Sequence, residues 1–172
     1  MKKRNVLFLT QAAMIAAIYV VLTFIANALL LANYAIQVRF SEALTVLPFF
    51  TPAAIPGLFI GCLLSNILTG CALPDIIFGS LATLLGALGT YTLRKWKWCA
   101  PICPIIANAI IVPLVLIYGY GLLIEGFSVP QCFGYYCLTV GVGEVISCGI
   151  LGMILLYTLN NYRQKLFLTP QA

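Results

Sequence analysis

The sequence predicts an all-α integral membrane protein, a bundle of six transmembrane helices with both termini in the cytoplasm. Three observations carry that fold class. Of the 172 residues, 63% are hydrophobic and 8% charged, against about 45–50% apolar and about 25% charged in soluble domains. Apolar runs near the roughly 20 residues that a helix needs to cross a bilayer core follow one another along the chain. The basic residues gather at Lys2, Lys3 and Arg4, at Arg94, Lys95 and Lys97, and at Arg163 and Lys165. Six crossings place all three clusters on the cytoplasmic side, where Lys and Arg accumulate.

The first helix, at 6–31, follows a basic start like that of a signal peptide. Its apolar run outlasts such a peptide's short core and no clear cleavage site follows, so it is expected to be retained. Within it, QAAMIAAIY pairs Ala12 with Ala16 and Ala13 with Ala17, a smooth strip that serves either packing within the chain or a partner helix. The second segment, 35–52, contains RFSEALTVLPFF. About sixteen residues before its prolines give roughly 24 Å of helix, marginal for a full crossing. Either 35–70 is one kinked helix, or 35–52 and 54–70 form a pair that turns at Pro52, Pro56 and Gly57. Parity selects the pair, because a single crossing would put Arg94 to Trp98 outside; a half-depth re-entrant hairpin has the same sidedness. The remaining helices are expected at 74–93, 101–123 and 132–158. Without a repeat or a low-complexity linker, 1–172 reads as a single domain.

This topology sorts the polar residues. Glu42, Asp75 and Glu125 fall on the outer side, with Asn27, Asn33, Arg39, Asn66, Tyr118, Tyr120, Gln131, Tyr135 and Tyr136. Glu144, in VGVGEVIS, lies near the middle of the sixth helix, where a carboxylate is expensive and too short to snorkel out. It is a ligand contact, a buried partner of Arg39 or of another helix, or a proton relay. Arg39 and Glu42 share a helical face three residues apart, as a local anchor or as the rim of a pocket. Asn66 and Asn108 suit interhelical hydrogen bonding or ligand contact, Asn66 being the better placed. Tyr135 and Tyr136 suit an interfacial belt or stacking on a flat cationic solute. Together the residues outline an outward-opening pocket for a small hydrogen-bonding solute.

The absences narrow the function. No GxxxxGK[ST] loop, histidine, GxSxG elbow or HExxH pair occurs, so ATP hydrolysis, hydrolytic chemistry and histidine-based metal chemistry have little to work with, and an enzyme is not expected. The net charge of +5 lies in clusters beside apolar runs, an orienting pattern and not a nucleic-acid surface. Cys99 and Cys103 lack the four ligands of a closed zinc site. Cys71, Cys132 and Cys137 fall on the outer side, and spacing pairs none of them.

The six-segment plan, the AAMIAA strip and above all VRFSEALTVLPFFTPAAIPGLFIGCLLSNILTG (Val38 to Gly70) resemble the QueT family of queuosine-precursor transporters, similar to the substrate-binding S components of energy-coupling factor (ECF) importers. The resemblance implies a subunit of the bacterial plasma membrane with no cofactor of its own. It docks through Ala12, Ala13, Ala16 and Ala17 onto a membrane T component carrying two cytoplasmic ATPases that hydrolyse ATP. The implied cargo is a 7-deazaguanine such as preQ1, preQ0 or queuine, with Arg39, Glu42, Asn66, Tyr136 and Glu144 as candidate binding residues. The competing class is a self-sufficient secondary transporter or channel that uses Glu144 as an ion or proton relay.

Overall fold

A computed structural model describes residues 2–29 and 38–162, all side chains from Arg4 onward included. Asn33, Arg163 and Lys165 lie outside the described residues. The chain forms α1 (Lys2–Ala28), a 3-10 helix (Phe40–Phe49), α2 (Ala54–Leu68), α3 (Leu73–Thr92), α4 (Ile102–Leu114, continued by the π-helical turn Val115–Gly119) and α5 (Val129–Asn161). α5 is α-helical over Val129–Glu144, π-helical over Val145–Leu151 and α-helical again over Gly152–Asn161.

Among the described residues, four stretches are long and apolar enough to cross a membrane: Arg4–Ala28, Leu73–Thr92, Lys97–Gly119 and Val129–Asn161. The other two apolar helices are shorter, Phe40–Phe49 and Ala54–Leu68. Of the helix expected at 35–52, residues 35–37 lie outside the described residues, and Phe40–Phe49 is a ten-residue 3-10 helix, roughly 20 Å long at about 2.0 Å per residue. Residues 41–49 are all buried, enclosed by α1, α2, α3 and α5. Shielding on every side replaces the lipid contact that a peripheral span would make, and the run is far longer than the three or four residues usual for this winding. Pro48, inside the helix, has no N–H to extend an α-helical ladder.

Successive elements alternate in direction. The 3-10 helix runs antiparallel to α1, with Ser41 beside Thr23, Glu42 beside Tyr19 and Thr51 beside Gln11. α3 lies antiparallel to α2 through Asn66–Asp75 and Cys62–Thr83, and α4 antiparallel to α3 through Pro104 at Gly86 and Pro74 at Gly119. α1 and α2 are parallel and unusually close. A Cβ placed on Gly57 would lie 2.7 Å from the carbonyl oxygen of Ala12, and one on Gly61 would lie 2.8 Å from the Cβ of Tyr19 and 3.1 Å from the Cα of Ala16. The alanine strip is thus divided: Ala12 and Ala16 are buried against the α2 glycines, while Ala13 and Ala17 are exposed.

Candidate functional site

Polar side chains from every long element converge beside the start of the 3-10 helix. Three residues per turn stack Arg39, Glu42 and Thr45 along one line. Glu42, expected with Arg39 at the rim, is 2% exposed and lies one turn inside it. It shares a cavity with Thr83, at the middle of α3, roughly 12 Å along the helix from Asp75. A carboxylate at this depth requires partners. Tyr19 of α1 donates its hydroxyl to Oε1 of Glu42, and the Asn108 amide of α4 donates to Oε2 at 3.4 Å.

Glu144 closes the far wall. Its Oε2 accepts from the Cys148 thiol at 3.1 Å, one turn along α5, and the Asn108 amide bonds it as well as Glu42. Cys148 also lies 3.3 Å from the Glu42 carbonyl oxygen and 3.4 Å from the Thr45 hydroxyl. The π-helical stretch begins at Val145, directly after Glu144. Such local widenings recur at functional sites, where they re-aim side chains. One carboxylate oxygen each of Glu42 and Glu144 and the Cys148 sulfur lie within 4.8 Å of one another, three donors that could hold a metal ion, one short of a closed zinc site.

Arg39 forms the rim. Its guanidinium pairs with Asp75 at 3.9 Å and neither Glu42 nor Glu144 is its ion-pair partner; its backbone N–H donates to the Ser147 hydroxyl at 3.1 Å. The Tyr120 hydroxyl lies 3.5 Å from Asp75 and accepts from the N–H of Ala72 at 3.1 Å, tying the far end of α4 to this corner. Beneath it, Arg39, Glu42, Gly79, Thr83, Asn108, Val112, Val140 and Glu144 enclose about 10 Å³, the size of one water. Two wider grooves, of about 810 Å³ between α1 and α5 and about 650 Å³ between α3 and α4, are lined almost wholly by apolar side chains and lack convergent polar groups.

Of the five sequence candidates, the structure brings Arg39, Glu42 and Glu144 to one cavity. Asn66 sits behind it, with its amide donating to the carbonyl of Asp75 at 3.3 Å. Tyr136 is one turn beyond Val140 on α5, outside the lining, with its ring edge-on to Tyr135 at 5.6 Å between centroids. Tyr118 and Glu125 are exposed. Asp75, read as an outer-side acid, lies in the first turn of α3 and holds Arg39. Tyr19, Thr83 and Cys148 were not candidates. The spacing of Tyr19 from Ala12 and Ala16, and of Cys148 from Glu144, was the available signal, since each pair shares a helical face.

Among known proteins, a 98-residue stretch is 36% identical to the "Queuosine precursor transporter QueT" of Lactococcus lactis subsp. cremoris (strain MG1363), covering 56% of this chain and 57% of that relative. No solved structure matches. The family model described as QueT transporter matches residues 9–161, from the α1 strip through the whole carboxylate cluster to the end of α5, and on that extent the chain belongs to the QueT transporter family.

Proposed function

We propose that the chain is the substrate-binding S component of an ECF importer in the cell membrane and takes up a queuosine precursor, a 7-deazaguanine of the preQ1, preQ0 and queuine group. Six crossings with both termini cytoplasmic put the Arg39–Asp75 rim on the outer side. The observation that carries the reading is the charge arrangement. Two buried carboxylates face one cavity while the guanidinium on its rim is turned to Asp75. Oxygens of the two lie within 4.8 Å of each other; ionised together, they would repel by at least about 3.5 kcal/mol at an effective dielectric constant of about 20. A cationic cargo removes that cost, and a guanine-like edge offers adjacent N–H donors to a carboxylate. The aminomethyl group of preQ1 supplies the cation and its base supplies the donors. A cavity of one-water size must widen to admit such a base, so rim residues separate during loading.

The partners follow from the same reading: a membrane T component and two cytoplasmic ATPases. The exposed Ala13 and Ala17 are the docking face, with Ala12 and Ala16 as the packed layer behind. A melting series on the purified chain with preQ1, preQ0, queuine and guanine tests the cargo. Stabilisation is expected to grow with the logarithm of concentration, reaching about 2.7 kcal/mol at one hundred times Kd, and to shrink in Glu144→Gln. No stabilisation by any of the four overturns the cargo assignment. Uptake by the chain in a host without the ECF module overturns the S-component assignment in favour of a self-sufficient transporter.

A further inference from the structure

We propose that Tyr19 is a positioning residue of the cargo site, fixing the aim of the Glu42 carboxylate; the inference rests on Glu42 being a cargo ligand, as read above. Tyr19 is 1% exposed, and a phenol hydroxyl buried among helices costs stability unless it finds an acceptor. It finds Oε1 of Glu42, while Asn108 reaches Oε2 from the opposite side. Three donors on three different helices, Tyr19 on α1, Asn108 on α4 and Thr83 on α3, hold the carboxylate plane. An ionised carboxylate has about four acceptor positions, so about one remains for a ligand.

The tyrosine is itself held. Ala12, Ala16, Tyr19 and Thr23 are buried along one face of α1, the Tyr19 Cβ lies against Gly61, and Thr23 lies 2.9 Å from both the Tyr19 carbonyl oxygen and the Ser41 hydroxyl. The ring therefore has little room to swing, and the hydroxyl delivers a preset orientation to Glu42, which lowers the ordering cost of binding. Glu144 is held differently, by a thiol, a weak donor, and by an amide that it shares with Glu42. The pair thus divides into a fixed carboxylate and an adaptable one.

The test uses the full chain in detergent, with preQ1 as the probe and its Kd measured by titration calorimetry for wild type, Y19F, E42Q, E144Q, Y19F/E42Q and Y19F/E144Q. Y19F is expected to weaken binding roughly tenfold, the size of a hydrogen bond to a charged group. Because Tyr19 acts through Glu42, Y19F/E42Q should lie within about twofold of E42Q, whereas Y19F/E144Q should lose the full additional factor relative to E144Q. An unchanged Kd in Y19F overturns the inference. So does an equal loss from Y19F in the E42Q background, which would mark a general packing role. If wild type fails to bind preQ1, the titrations use whichever of preQ0, queuine or guanine stabilises the chain; binding of none of the four overturns the cargo reading and this inference with it, whereas binding by wild type with no Y19F effect sinks the inference alone. Should Y19F fail to fold, 3,5-difluorotyrosine at position 19 keeps the ring and strengthens the donor. A Kd changed at least threefold supports the inference, and an unchanged Kd overturns it.

Discussion

Adding one methyl group at Gly61 should damage the site from a distance. A Cβ there would stand 2.8 Å from the Tyr19 Cβ, 3.1 Å from the Ala16 Cα and 3.1 Å from the Ala16 carbonyl oxygen. Carbon atoms rest about 3.5–4.0 Å apart, so α1 must retreat by roughly 1 Å, and overpacking of this kind costs about 1–3 kcal/mol. Gly134 provides the internal control, because it too is helical and nothing lies within 4 Å of its added Cβ. The helix-propensity gain of about 1 kcal/mol for glycine to alanine applies to both sites, so the difference between Gly61→Ala and Gly134→Ala isolates the contact. Thermal melting of the two variants in one detergent should place Gly61→Ala lower by the equivalent of about 1–3 kcal/mol. The same retreat pulls the Tyr19 hydroxyl from Glu42, so preQ1 affinity should fall in Gly61→Ala and hold in Gly134→Ala. Equal melting temperatures would refute the close α1–α2 approach.

Three further outcomes are expected. Asp75→Asn should lower melting, since Asp75 is buried and its loss leaves the Arg39 guanidinium without its ion-pair partner. It should also weaken preQ1 binding, because Arg39 is released to compete for the cavity carboxylates; unchanged calorimetric affinity would contradict this. Ala17→Trp, on the exposed face of α1, should preserve preQ1 binding by the isolated chain and abolish ATP-driven uptake, whereas Ala16→Trp should lower the melting temperature against Gly61; retained uptake in Ala17→Trp would remove that face from docking. With single native cysteines kept, a membrane-impermeant maleimide added to intact cells should label Cys71 and spare Cys99, and the reverse pattern would invert the assigned sidedness.

The all-helical fold was legible because apolar runs near bilayer length leave few arrangements other than helices. Segment boundaries of the long helices follow directly from where apolar runs stop: α3 was expected at 74–93 and occupies Leu73–Thr92. The winding of RFSEALTVLPFF was not legible, because its short apolar run fits an interrupted α-helix as well as a 3-10 helix, and only enclosure by neighbouring helices decides. Glu144 was visible as an expensive residue at depth, and Arg39 and Glu42 as charges in an apolar setting. Asn108 reads from sequence as interhelical hydrogen bonding or ligand contact, with Asn66 the better placed; in the structure Asn108, not Asn66, bridges both carboxylates. Tyr19 and Cys148 were invisible as site residues since a buried tyrosine and a small thiol are ordinary core fillers until an acceptor is known to face them. The sequence leaves the alanine strip open between packing within the chain and a partner helix; Ala12 and Ala16 pack within the chain because Gly57 and Gly61 complement them in size.

The tight winding of Phe40–Phe49 sets where its first turn points. A 3-10 helix advances about 120° per residue and an α-helix about 100°. With Phe49 held in place, rewinding the seven steps back to Glu42 would swing that carboxylate through roughly 140° and draw it inward by about 3–4 Å. The compass bearing of the acid is thus written in the pitch of the screw that carries it.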